Sequence, residues 1–134
     1  MKSKIALAFD KCRKAKRPAL ITYTVAGDNT KNNSIKILKK ISKHADILEL
    51  GFPHNTPIAD GGQIQGSSHR ALKNGIKLKD VFHIVKEFKK TNPNKPIILM
   101  GYFNLIYQNG ENNFLNSCKL SGVDGLIIVD LPYP

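Results

Sequence analysis

The run Pro96-Ile97-Ile98-Leu99-Met100-Gly101 constrains the fold of this chain more than any other stretch. It has no polar side chain to turn toward water, so it reads as a strand buried on both faces, which is characteristic of a parallel sheet. Three further runs have strand character: Ala19 to Val25, rich in β-branched and aromatic residues, Asp46 to Gly51, and Val123 to Val129. Amphipathic segments alternate with them. Ser34 to Lys43 sets Ile35, Leu38 and Ile41 on one stripe, and Leu78 to Thr91 does the same with Val81, Phe82, Val85 and Phe88. Gly62 to Asn74, closing at Gly75, and Glu111 to Leu120 complete the helical set. A basic amphipathic helix over 1–17, ended by Pro18, precedes the first strand. The expected order is a helix, then β-α-β-α-α-β-α-β, and such alternation calls for a parallel sheet with crossover helices.

One residue resists this apolar pattern. Glu49 lies inside Ile47-Leu48-Glu49-Leu50-Gly51, where an ionised carboxylate is costly unless it is paired or used. Alternation puts Ile47, Glu49 and Gly51 on one face of the strand and Leu48 and Leu50 on the other. A loop with Pro53 and Pro57 follows, and a second acid, Asp60, stands just before Gly61-Gly62. Two acids in different environments around one cleft form an acid/base arrangement. On the residues alone, Glu49 is also open to reading as a strand-end acid paired with a lysine. Asp60 likewise reads as a turn residue or helix N-cap.

Leu48-Glu49-Leu50-Gly51, Pro53, Pro57-Ile58-Ala59-Asp60-Gly61, Gln65 and Arg70-Ala71 together resemble the signature of the tryptophan synthase alpha chain family. The resemblance runs nearly end to end. It takes in Gly27-Asp28, Met100-Gly101-Tyr102-Phe103-Asn104-Leu105, Gly122-Val123-Asp124-Gly125-Leu126 and Val129-Asp130-Leu131-Pro132. It implies a parallel (β/α) half-barrel, the first four strands of a TIM-type (β/α)8 barrel with an N-terminal helix. A full barrel takes about 250 residues. Residues 1–134 are therefore expected to form a single incomplete domain, with the C-terminal half and its phosphate-binding backbone absent. Strands one and four would be open edges, leaving Ile98, Met100, Leu126 and Ile128 as uncovered inward side chains.

The resemblance also implies a reaction, in tryptophan biosynthesis: aldol-type cleavage of indole-3-glycerol phosphate to indole and glyceraldehyde 3-phosphate by the full-length parent, with negligible activity expected of the isolated half because the phosphate site is missing. Glu49 is the implied proton-transfer residue, and Asp60 the implied partner of the indole N–H. Tyr102 and, more loosely, Tyr23 are the implied substrate-lining aromatics, with plain packing as the alternative for Tyr102. Asp130 is read either as a rim residue or as part of a turn. No metal or organic cofactor is expected, and a tryptophan synthase beta chain is the implied partner, in an alpha2-beta2 tetramer. The chain departs from the family between Pro53 and Pro57, on the face that docks the beta chain. Ser-Asp is usual there, and this chain has His54-Asn55-Thr56. Gly62 stands where proline is common. His54 reads as a solvated or interface histidine. The runner-up readings are a self-associating, non-catalytic half-barrel and a different phosphate-substrate barrel enzyme, since the fold hosts many chemistries.

Composition narrows the alternatives. With 41% hydrophobic and 23% charged residues over 134 positions, the chain has enough material for one core. No apolar run approaches the roughly 20 residues that cross a bilayer. The five-residue patch from Ile5 to Phe9 is too short for a secretory segment, so a cytoplasmic location is expected and no membrane partner. The net charge of +11 comes almost wholly from scattered lysines, with only Arg13, Arg17 and Arg70 as arginines. Nucleic-acid readers rely on arginine forks and stacking aromatics, so no nucleic-acid partner is expected. Cys12 and Cys118 are isolated thiols without metal-type spacing, read as small buried residues.

Overall fold

The computed structural model describes residues 2–132. Its elements are α1 (Lys4–Lys14), β1 (Ile21–Val25), α2 (Lys31–Ile41), β2 (Ile47–Gly51), α3 (Gly62–Lys73), α4 (Leu78–Thr91), β3 (Ile97–Gly101), α5 (Phe103–Asn109), α6 (Glu111–Ser121) and β4 (Gly125–Ile128). The four strands form one parallel sheet in the order β1-β2-β3-β4. The expected half-barrel is the fold observed, with one more helix than the sequence pattern gave.

Register separates the two faces of the sheet. Leu48 pairs with Ile97 and Leu50 with Leu99, and all four are fully buried with Leu38 of α2, Val81, Ile84, Val85 and Phe88 of α4, and Phe114 of α6. Burying each such side chain contributes about 1.5–3 kcal/mol, so this helix-covered face holds the sheet together. On the opposite face Tyr23, Glu49, Ile98 and Gly125 form one row, and Val25, Gly51, Met100 and Ile127 the next. α1 packs at the N-terminal end of that face: a Cβ on Gly125 would stand 3.0 Å from Ile5 Cδ1. Ile98 and Met100 face this way as expected. Leu126 and Ile128 do not, because Met100 pairs with Ile127, which places them on the helix side.

Local hydrogen bonds explain where the elements differ from the sequence pattern. α2 starts three residues before Ser34, because Thr30 accepts the Asn33 N–H at 3.0 Å, while the Ser34 hydroxyl accepts the Gly27 N–H at 2.7 Å. α1 starts at Lys4, capped by Ser3, and stops at Lys14, short of Pro18. β1 starts at Ile21 rather than Ala19, where the Asp46 carboxylate takes the Leu20 N–H at 2.8 Å and the Arg17 guanidinium at 2.7 and 2.8 Å. That guanidinium holds the Asp46 carboxyl well below the usual range. Asp80 accepts the Lys77 N–H at 2.9 Å and so helps to start α4. Asp124 precedes β4 instead of lying in it, accepting from Lys89 Nζ at 2.5 Å and from the Ile97 N–H at 2.9 Å.

α5 is the unforeseen helix. Tyr102 is extended, with φ −105° and ψ 143°, and the chain then turns into helix at Phe103, whose N–H donates to the Asp130 carboxylate at 2.7 Å. Gly110 separates α5 from α6. Cys12 and Cys118 are both free and buried, as expected, and burial pushes the Cys118 thiol up to about 11.

Two glycines test this packing. A Cβ on Gly101 would stand 2.1 Å from the buried Phe52 ring, whereas a Cβ on Gly62, at the start of α3, meets nothing within 4 Å. Gly101→Ala is therefore expected to lose about 1–3 kcal/mol of unfolding free energy. Gly62→Ala is expected to gain about 0.4–1 kcal/mol by restricting the unfolded chain. Urea denaturation of both variants against the parent chain checks the pair.

Candidate functional site

Strand β2 delivers Glu49 to the face of the sheet that the helices leave uncovered. Its row neighbours are Tyr23 on β1 and Ile98 on β3. The residue is half-buried, and among the described residues no hydrogen bond or ion pair compensates its charge. Burial therefore raises the Glu49 carboxyl above its ordinary value, and nothing opposes the rise. The expectation that Glu49 shares a face with Gly51, away from Leu48 and Leu50, holds. The lysine-paired alternative does not.

The loop from Phe52 to Gly61 carries the second acid, and two contacts from β3 fix it. Phe52 packs over Gly101 and edge-on to Phe114, with ring centroids 5.9 Å apart. Tyr102, buried to 4% exposure, reaches up from the end of β3. Its hydroxyl accepts the Ala59 N–H at 2.9 Å and donates to Asp60 Oδ2 at 3.3 Å. The backbone bond occupies an acceptor position of that oxygen, leaving its proton for the carboxylate. Asp60 is not the N-cap of α3. Gly61 holds that position, and the Asp60 main-chain carbonyl instead accepts from Gln65 Nε2 at 2.7 Å.

Tyr23 lies across β2. A Cβ on Gly51 would fall 2.0 Å from its hydroxyl, so only glycine leaves room there. Burial drives the Tyr23 phenol upward, and the charges of Asp60 and then Glu49 add to the rise. A hydroxyl that senses both carboxylates lies in their shared neighbourhood. Tyr23 thus neighbours Glu49 in register and Tyr102 bonds Asp60, and a separate cavity of about 230 Å³, lined by Tyr23, Asp28, Ser34 and Gln63, opens beside β1.

Several nearby contacts were not legible in the sequence. Arg70 of α3 forms a two-pronged bond to Asp28 after β1, at 2.7 and 2.8 Å, and this guanidinium holds the Asp28 carboxyl below its usual range. His54 stacks on Tyr102, with ring centroids 4.9 Å apart and an interplanar angle of 28°. Asp130 is a structural tie, joining the end of β4 to the start of α5. Among the described residues, no group of three or more His, Cys, Asp or Glu side chains could hold a metal ion. No helix among them is long and apolar enough to cross a membrane.

The arrangement offers one carboxyl that burial makes more reluctant to ionise and a second carboxylate held by a phenol. A carboxyl whose folded value is raised adds stability below its unfolded value and loses it as pH climbs through the folded value. Glu49→Gln, neutral at every pH, is therefore expected to be more stable than the parent chain at pH 7. Near pH 3.5, below the ordinary carboxyl value, the two should converge. Thermal unfolding at both pH values checks this.

Comparison with known proteins places the chain. The family model described as the tryptophan synthase alpha chain matches residues 9–134. The tryptophan synthase alpha chain of Pelagibacter ubique is 71% identical over 132 residues, covering 98% of this chain and 50% of the relative. That of Pyrococcus furiosus is 50% identical over 114 residues, covering 85% and 46%. Among solved structures, tryptophan synthase subunit alpha from Legionella pneumophila superposes with a TM-score of 0.94 at 37% identity, over 98% of this chain and 51% of that one. The tryptophan synthase complex from Pyrococcus furiosus superposes with a TM-score of 0.82 at 50% identity, over 85% and 47%. The chain spans about half the length of the curated relatives it matches. It belongs to the tryptophan synthase alpha chain family, a family of lyases on the TIM-barrel fold.

Proposed function

We propose that this chain carries the acid/base half of a site that cleaves indole-3-glycerol phosphate to indole and glyceraldehyde 3-phosphate, in tryptophan biosynthesis in the cytoplasm. The observation that carries the reading is Glu49: a half-buried carboxyl with a raised pKa and no compensating partner among the described residues, on the open face of the sheet. On this reading residues 1–134 supply the β1 to β4 portion of one barrel domain.

The chemistry assigns each group a task. Protonated Glu49 donates to C3 of the indole ring, making that carbon tetrahedral and leaving positive charge on the ring nitrogen. The Asp60 carboxylate, held by the Tyr102 hydroxyl, accepts a hydrogen bond from the indole N–H and stabilises that charge. Glu49, now ionised, takes the proton of the adjacent side-chain hydroxyl. The carbon–carbon bond breaks, its electrons return to the ring, the aldehyde leaves, and Glu49 is protonated again. No redox partner or metal is needed for this balance. On this reading Tyr23 and Tyr102 flank the indole ring.

By the same reading a beta chain is the partner, and the loop from Phe52 to Gly61 is the docking segment. Leu126, Ile127 and Val129 at the β4 end are 36–42% exposed, which favours a second reading in which the chain by itself associates with another copy through its open edges.

A chimera tests the assignment, with this chain replacing the matched segment of the Pelagibacter ubique alpha chain. It is expected to release indole from indole-3-glycerol phosphate, and Glu49→Gln is expected to lower kcat about 100-fold or more while the protein stays folded. Near-parental turnover by Glu49→Gln would defeat the assignment.

A further inference from the structure

We infer that His54 is a positioning residue: its unprotonated ring latches the loop from Phe52 to Gly61 and, through Tyr102, braces the Asp60 carboxylate, so that protonating it loosens the site. The inference rests on the reading of Asp60 as the group that meets the indole N–H.

Three contacts join end to end. His54 Nδ1 accepts the Thr56 N–H at 3.0 Å, which closes the tip of the loop. The same ring stacks on Tyr102. The Tyr102 hydroxyl in turn bonds the Ala59 N–H and Asp60. The loop is otherwise poor in internal ties, with Thr56 Oγ1 to Asn55 Oδ1 at 3.2 Å and two short backbone turns at Ile58 and Asp60. His54 thus joins the tip of the loop to Tyr102, which itself holds Ala59 and Asp60 at the far end.

The chemistry of the latch is directional. Nδ1 accepts only while it carries a lone pair, so the ring proton is on Nε2. A second proton on Nδ1 would point an N–H at the Thr56 N–H, and a bond would become a repulsion. Imidazole is the side chain whose charge ordinarily changes between about pH 5 and 8. The charged and titratable groups around the ring are Tyr102 on its stacked face, Asp60 beyond the Tyr102 hydroxyl, and His69 and Lys73 of α3 across a shared cavity of about 670 Å³. None of these groups replaces the lost acceptor at Thr56.

Amide NMR of the 134-residue chain between pH 8 and 5 tests the latch. The Thr56 amide is expected to shift in step with the His54 imidazole, and the Ala59 amide to follow it. His54→Asn, whose Oδ1 can stand where Nδ1 stood and takes no proton, should abolish both steps. His54→Phe, which keeps a ring on Tyr102 but offers no acceptor, should hold the Thr56 amide near its low-pH position throughout. A Thr56 amide that stays flat while His54 titrates, or a step that survives His54→Asn, overturns the latch. A Thr56 step without an Ala59 step overturns its reach to Asp60. In the chimera, the ratio of kcat/KM at pH 7.5 to that at pH 5.5 should fall about threefold or more on His54→Asn. An unchanged ratio overturns the positioning role. Intact amide steps in a chimera that cleaves nothing at any pH would overturn the reading of Asp60 and leave the latch standing.

Discussion

An uncompensated carboxyl on the bare face of a parallel sheet is the constraint around which this molecule is arranged. Leu48 and Leu50 anchor β2 in the helix-covered core, so Glu49 between them has no choice of face. The same alternation that buries the leucines holds the acid at the opposite surface, among Tyr23 and Ile98, with nothing to pair it among the described residues. Stability comes from one face of the strand, and the other carries the acid. Partial burial without a partner raises the pKa of the carboxyl and so makes it more reluctant to give up its proton.

The second acid is placed by a different device. A loop would leave Asp60 free to wander, and here two aromatic side chains restrict it. Phe52 enters the core over Gly101, where any side chain would collide with it, and Tyr102 from the next residue of the chain reaches back to the far end of the loop. The segment from Phe52 to Gly61 is therefore tied at both ends to β3. Asp28 and Arg70 add a brace from β1 to α3, so the helix that follows the loop is also held to the sheet.

What the sequence made legible follows the range of the interactions. β2, α4 and the face of Glu49 were readable because alternation and helical periodicity are local. α5 was not, because its first N–H is capped by Asp130, 27 residues further along, and the aromatic run from Tyr102 looks like the continuation of a strand. β1 was read too long because a carboxylate from the far side of α2, Asp46, takes the Leu20 N–H. Leu126 and Ile128 were assigned to the wrong face because the β4 run is apolar at consecutive positions and gives no phase. Asp60 followed by Gly61-Gly62 has the form of a cap, and only the approach of Tyr102 assigns its carboxylate elsewhere. The resemblance in the motifs singled out two acids, and the structure adds the contacts that hold one of them, Asp60.

The most direct test of this account is a carbon-13 NMR titration of the Glu49 side-chain carboxyl in the folded chain. A midpoint above the ordinary carboxyl value of 4.5 is expected, with the Tyr23 ring signals moving in step as the neighbouring charge appears. A midpoint at or below 4.5, or Tyr23 signals indifferent to it, would mean that Glu49 is paired or turned away from the open face, and would contradict the account.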